Sequence, residues 1–245
     1  MQLNNNVILL TGGTSGIGKA LLERFLEGQN KLIITSRSTK NLEQLQNEHP
    51  KVNAIQCDLS DPESVQNLID RVHFEYKDLN ILVNNAGIQY NDQWLSGDEQ
   101  IPQHIEKEVR VNLISPLQLT YGLLPILENK AESAIINVSS GLAFVPKQSA
   151  PVYCGTKAGL HISTKSLRYQ LENSSIKVFE IIPPIVDTPM TTGRGQGKIT
   201  PQQLVNEFMI SFAKNRYEIS IGKTKWLRLI QRITPKVADG ILKDA

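Results

Sequence analysis

The chain has 245 residues, 40% of them hydrophobic and 20% charged, a length and balance that allow a sizeable buried core. A net charge of +2 and a pI near 8.4 are too mild for an electrostatic nucleic-acid binder. The opening MQLNNNVILL has too short an apolar run for a signal-peptide core, no stretch of about 18 apolar residues exists to span a membrane, and Cys57 and Cys154 have no framework spacing, so a soluble cytoplasmic protein is expected.

Taken in chain order, Val7–Thr11 (VILLT) and Lys31–Ser36 (KLIITS) are short, apolar and β-branched, as strands buried on both faces should be. Between them Gly16–Gly28 has helical periodicity and ends on glycine. The cycle repeats with a helix over Asn41–Glu48, a strand over Val52–Cys57, a helix over Pro62–Phe74 and a strand over Asn80–Val83. After a loop at Asn91–Gly97 the pattern predicts one long helix over Pro102–Glu128 and a strand over Ala134–Val138. A second long helix over Val152–Leu171 and a strand over Lys177–Ile182 follow.

Strands alternating with helices of this length argue for a parallel sheet covered on both faces. With right-handed crossovers this is a single Rossmann-like, doubly wound α/β domain with about seven strands. No linker, repeat or low-complexity stretch divides residues 1–245. Thr191–Thr200 (TTGRGQGKIT) is glycine-rich and polar, a predicted mobile loop. A helix over Pro201–Ala213 and a short strand over Glu218–Ile221 come next. The tail, 223–245, reads as a basic amphipathic helix that Pro235 should break or kink.

Two stretches point to chemistry. In TGGTSGIG, Thr11–Gly18, a strand runs through glycines into a helix. Such a turn lets backbone amides approach a pyrophosphate at the positive helix end, which makes Gly12, Thr14, Ser15, Gly16, Ile17 and Gly18 candidate cofactor contacts. In PVYCGTKAG, Tyr153 and Lys157 stand four residues apart, so on a helix they share a face with Cβ atoms about 5–6 Å apart. A cation that close favours the phenolate, although the same spacing is common between solvated neighbours. His49, His73, His104 and His161 are scattered without metal-ligand spacing, and no metal is expected.

The glycine pattern and Tyr153-x3-Lys157 together resemble the short-chain dehydrogenase/reductase family, whose remaining motifs fall in order on the predicted elements. NNAG at Asn84–Gly87 is similar to the motif that stabilises the sheet and borders the adenine ribose, which implies cofactor contacts for Asn85, Ala86 and Gly87. Asp58, followed by Leu59 in CDLS, matches the aspartate that meets the adenine. Asn112 in VRVNLISP matches the catalytic asparagine. Ser140, thirteen residues before Tyr153, matches the catalytic serine, with Ser139 one position off. Within the family, VNNAGIQ, PPIVDTPM and the basic tail most resemble the DltE-like oxidoreductase branch, linked by context to cell-envelope metabolism.

The resemblance implies hydride transfer between a nicotinamide C4 and a small carbonyl or alcohol substrate. Tyr153 would be the general acid/base, Lys157 would hold ribose hydroxyls and assist the phenol, Ser140 would bind the substrate oxygen, and Asn112 would position a relay water. The family's acidic residue for NAD at the end of the second strand is replaced here by Ser36, followed by Arg37. A hydroxyl and a guanidinium can bind the 2′-phosphate that a carboxylate would repel, so NADP is expected over NAD.

One departure from the family pattern is Pro184, which stands where a glycine usually follows Pro183. It stiffens the loop and removes an amide hydrogen. Val186 and Thr188 still match residues that meet the carboxamide and pyrophosphate. Ile88–Gly97, Leu142–Val152 and Pro189–Thr200 should shape specificity, without defining a substrate class. The two long helices match those that pair across a two-fold axis in the family, so the resemblance implies a homodimer or tetramer. The alternative reading is a cofactor-binding accessory or regulatory protein without turnover, against which Asn112, Ser140, Tyr153 and Lys157 all stand present. The tail, with Trp226 among lysines and arginines, fits either packing on the domain or a subunit, or weak membrane-surface association.

Overall fold

Apolar residues alternate along each strand between two cores, one on either face of a parallel sheet. The computed structural model describes residues 1–243. Its strands are β1 (Val7–Thr11), β2 (Lys31–Ser36), β3 (Asn53–Gln56), β4 (Ile81–Asn84), β5 (Ser133–Val138), β6 (Ile176–Ile182) and β7 (Glu218–Ser220). They form one seven-stranded sheet in the order β3-β2-β1-β4-β5-β6-β7, every pair parallel. This is the single doubly wound α/β domain that the sequence pattern predicts.

The helices are α1 (Gly16–Leu26), α2 (Thr39–Glu48), α3 (Pro62–Glu75), α4 (Ile101–Val109), α5 (Ser115–Glu128), α6 (Pro151–Gln170), α7 (Pro201–Ala213), α8 (Thr224–Ile233) and α9 (Pro235–Leu242). Ile8 and Leu10 of β1 pack on one face with Phe25 of α1 and Phe208 and Phe212 of α7. Leu9, between them, points to the other face with Val65 and Val72 of α3 and Leu119 and Leu123 of α5. Strand order reverses between β1 and β4, which opens a crevice outside their carboxyl ends.

Local chemistry sets the helix starts. The Ser38 hydroxyl accepts the Asn41 N–H at α2, Asp61 caps α3 ahead of Pro62, and Thr200 and Gln203 form a capping box at α7. By contrast α1 begins at Ser15 without a side-chain cap.

The long helix predicted over Pro102–Glu128 is two helices. Between α4 and α5 lies a π-helical turn, Arg110–Ile114, where the Ser115 N–H bonds the Arg110 carbonyl. Pro116 has no N–H for the carbonyl of Asn112 four residues earlier, and its ring would press on that carbonyl in a regular helix. The wider turn absorbs the conflict. The predicted tail is likewise divided: α8 and α9 meet at Thr234, as the proline after it requires. Residues 244 and 245 of that tail lie outside the described residues. The stretch predicted as a mobile loop is tied near both ends, by a bridge between Val186 and Ile199 and by Lys198 Nζ on the Thr191 carbonyl at 2.7 Å.

A polar girder crosses the core near the crevice. Asn84 Nδ2 donates to Asn137 Oδ1 at 2.8 Å and to Thr120 Oγ1 at 3.1 Å, while Asn137 Nδ2 donates to Thr164 Oγ1 at 2.8 Å. All four residues are buried, so β4, β5, α5 and α6 share one hydrogen-bond network. Replacing Asn137 by alanine leaves buried partners unmatched and should lower stability by about 2–3 kcal/mol. Urea unfolding of Asn137→Ala should show this as a lower midpoint at unchanged slope.

Candidate active site

The first βα turn is built so that backbone faces the crevice. Gly12 has φ of 67°, a conformation that a side chain disfavours. A Cβ on Gly18 would stand 2.1 Å from the Gly12 carbonyl, so the start of α1 packs directly on the end of β1. With no side chain capping α1, the glycine turn leaves room for a phosphate group at the positive helix end. Gly16 touches Thr188, to whose Cγ2 an added Cβ would come within 3.0 Å. The turn and the segment after β6 therefore form opposite lips of one cleft.

Along that cleft lie Gly12, Thr14, Ser15, Gly16, Ile17, Gly18, Ser36, Arg37, Asp58, Leu59, Asn85, Ala86, Gly87, Tyr153, Lys157, Pro183 and Thr188. The Val186 side chain is buried in the core, and its carbonyl accepts from the Thr191 hydroxyl. The cleft also takes in Thr35, Ser38, Asn41, Cys57, Ile88, Val111, Val138, Ser139, Pro189 and Met190. Many of these flank predicted residues at strand ends, which is the signal that could have found them.

At one end of the cleft, Asp58 Oδ1 accepts from the Ser60 N–H at 2.9 Å and its hydroxyl at 2.7 Å. Burial pushes the carboxyl up, but these bonds, with the Lys107 and Arg37 charges, bring it below its ordinary value. At the other end sit Tyr153 and Lys157, both buried on one face of α6. Lys157 Nζ donates to the Val138 carbonyl at 2.8 Å and lies 5.6 Å from the centroid of the Tyr153 ring. Burial lowers the lysine to about 8, against the upward pull of Glu180 and Glu108. Burial raises the Tyr153 phenol well above its ordinary value, partly offset by a hydrogen bond with the Ser140 side chain.

Ser140 bonds the Tyr153 phenol, and Asn112 donates to the Thr156 hydroxyl of the same helix at 3.3 Å. The Ser140 hydroxyl accepts the Leu142 N–H at 3.1 Å, whereas Ser139 turns its hydroxyl to the Ile181 carbonyl at 3.4 Å. The Asn112 amide donates to the Ile88 carbonyl at 2.8 Å and accepts the Ile88 N–H at 2.9 Å. That side chain is engaged in clamping the chain after β4. Its main-chain carbonyl, which Pro116 cannot bond, lies within the π-helical turn. Cys154 points to the Lys147 backbone and takes no part.

Sequence reasoning missed three buried ionisable groups here. Glu108, 2% exposed, accepts the Tyr90 N–H at 3.2 Å, and burial pushes its carboxyl up to about 7. Four residues past Lys157 on α6, His161 Nδ1 lies 3.0 and 2.9 Å from the two oxygens of Glu180. The Phe144 ring closes over this pair with its centroid 4.6 Å from the imidazole.

Such a sheet, with a glycine turn at its switch point and a Tyr–Lys pair in the same cleft, defines a class. Residues 6–198 match the short chain dehydrogenase family, and the chain belongs to that family of oxidoreductases. Among individual proteins, the uncharacterized oxidoreductase DltE of Bacillus subtilis (strain 168) is 37% identical over 237 residues, 93% of this chain and 92% of that one. The DltE-like resemblance is therefore upheld. A short chain dehydrogenase from Burkholderia cenocepacia J2315, solved in complex with NADP, has a TM-score of 0.86 at 26% identity and covers 99% of both chains. Another, from Burkholderia phymatum in complex with NAD, shares the fold with a TM-score of 0.83 at 17% identity, covering 100% of this chain and 98% of that one. The open glycine turn and the Ser36–Arg37 end of the cleft fit a dinucleotide of this kind.

The Glu108 carboxyl carries a pH dependence with a definite sign. Its ordinary value of 4.5 is raised to about 7 in the fold. Near pH 4 the group is protonated in both states and has no effect; the destabilisation grows through this interval and is complete above it. Glu108→Gln should therefore be more stable than the parent by about 2 kcal/mol at pH 8. That gain should fade as pH falls to the carboxyl's ordinary value, as read by urea unfolding across a pH series.

Proposed function

We propose that the protein is an NADP-preferring oxidoreductase that moves a hydride between nicotinamide C4 and the carbonyl or carbinol carbon of a small molecule. The observation that carries this reading is the buried Tyr153 phenol, with Lys157 one turn on, in the same cleft as the glycine turn. When bound, the nicotinamide cofactor gives or accepts the hydride.

Tyr153 is the general acid in carbonyl reduction. Burial keeps its phenol protonated, which is the form that delivers a proton to an oxygen gaining charge. Lys157, brought to about 8, is mostly ammonium at neutral pH; it favours the phenolate left after transfer and has N–H groups for ribose hydroxyls. The Ser140 hydroxyl donates to the substrate oxygen where charge develops. Asn112 holds Ile88 with its amide, and its carbonyl is the acceptor for a water that returns the proton.

Ser36 and Arg37 favour NADP, because a guanidinium pairs with the 2′-phosphate. Ser38 and Asn41 at the same end of the cleft add neutral donors. The substrate meets Ile88–Gly97, Leu142–Val152 and Pro189–Thr200. A homodimer or tetramer through α5 and α6 is supported by Tyr121, Ile162 and Tyr169, which are large and exposed on those helices. Both cysteines are free, as a cytoplasmic location favours.

Tyr153→Phe should cut kcat by about a thousandfold or more while NADPH still binds, measured by NADPH fluorescence and by oxidation with a carbonyl panel. Near-normal turnover in that variant would refute the assignment. Arg37→Asp should weaken NADPH binding by about tenfold or more and leave NADH binding equal or tighter, in parallel fluorescence titrations.

A further inference from the structure

The C-terminal helices α8 and α9 each have three distinct faces. At about 100° per residue, Leu227 and Ala238 point inward and form a small core with Val145. Further round, Trp226, Leu229, Ile233, Val237 and Ile241 form an apolar stripe that runs along both helices and stays 47–68% exposed. On the remaining arc lie basic side chains. Lys225 pairs with Glu207 and Arg228 with Glu218. Lys223, Arg232, Lys236 and Lys243 are exposed and form no ion pair among the described residues. Between Lys223 and Lys243 the one acidic residue is Asp239.

The inner face is already occupied, and the Lys243 carbonyl accepts the Gln148 N–H at 3.0 Å. Packing on the domain therefore accounts for the inner stripe and leaves the outer one uncovered. We propose that this outer stripe docks on an anionic lipid surface, with the aliphatic side chains and Trp226 entering the interface and the flanking cations meeting headgroup phosphates. Large apolar side chains including tryptophan beside a lysine- and arginine-rich arc are the composition of an interfacial helix. A second copy fits less well, since a two-fold contact on this face would gather the unpaired cations of both copies at one seam. On its inner side α8 packs by Thr224 and Leu227 against Gly141, next to Ser140.

The test uses the full chain with vesicles of phosphatidylcholine, alone or with phosphatidylglycerol. The protein should co-sediment only with the anionic vesicles, and less as salt rises. In a Trp94→Phe background, Trp226 emission should move to shorter wavelength on binding. Arg232→Glu with Lys236→Glu should lower the partition by about tenfold or more, and Ile233→Glu should remove the emission shift. Circular dichroism and NADPH fluorescence show that each variant is folded. Absence of binding to anionic vesicles at low salt would overturn the proposal. So would a wild-type assembly, seen by light scattering, that Ile233→Glu dissociates, or retention on polyglutamate without vesicle binding, which marks an acidic protein partner.

Discussion

The Thr11 hydroxyl ties the two halves of the sheet together where their strand order reverses. It donates to the Val83 carbonyl at 3.3 Å and accepts the Asn85 and Ala86 N–H groups at 3.0 and 3.1 Å. The Asn85 amide returns to the carbonyls of Thr11 and Gly12 at 2.9 and 3.1 Å. The glycine turn and the chain after β4 consequently cannot shift independently. The clamp then passes across the edge: Asn112 grips Ile88, Lys157 grips Val138, and the Gly141 N–H bonds the Pro183 carbonyl at 3.1 Å. One small hydroxyl at the switch point thus starts a connected rim of hydrogen bonds around the cleft.

Behind that rim the protein buries charge. Lys157 feels the carboxylates of Glu180 and Glu108 from within the same region. Taking such groups out of water is expensive unless each meets a partner. Here burial draws Lys157 down and pushes Glu108 up, so each charge is carried at some expense in stability.

Much of the fold is legible in the sequence because most strands are built on short apolar runs between turn residues; β1 and β2 agree with their predicted spans residue for residue. The ends of β3 are less so. Val52 is apolar, yet its N–H closes a turn on the His49 carbonyl. The cleft residues of the glycine turn and of NNAG are legible because chain order alone puts them at strand ends. Glu108 and His161 are not, since a polar residue on a helix reads as solvated until packing covers it. A subtler signal existed for Asn84, Asn137 and Glu180, each a polar residue at or within an apolar strand. The helix break before α5 was also signalled, by Pro116 four residues after Asn112.

That break gives the region around Asn112 little tolerance for changes in length. A π-helical turn holds one residue more than an α-helical turn, so the residues before and after it follow different angular phases. Deleting one residue from Arg110–Ile114 would leave too few residues for the wide turn and force a regular α-helical turn ahead of Pro116. Pro116 would then clash where it now fits. In descendants of this chain, insertions and deletions are closed to drift here.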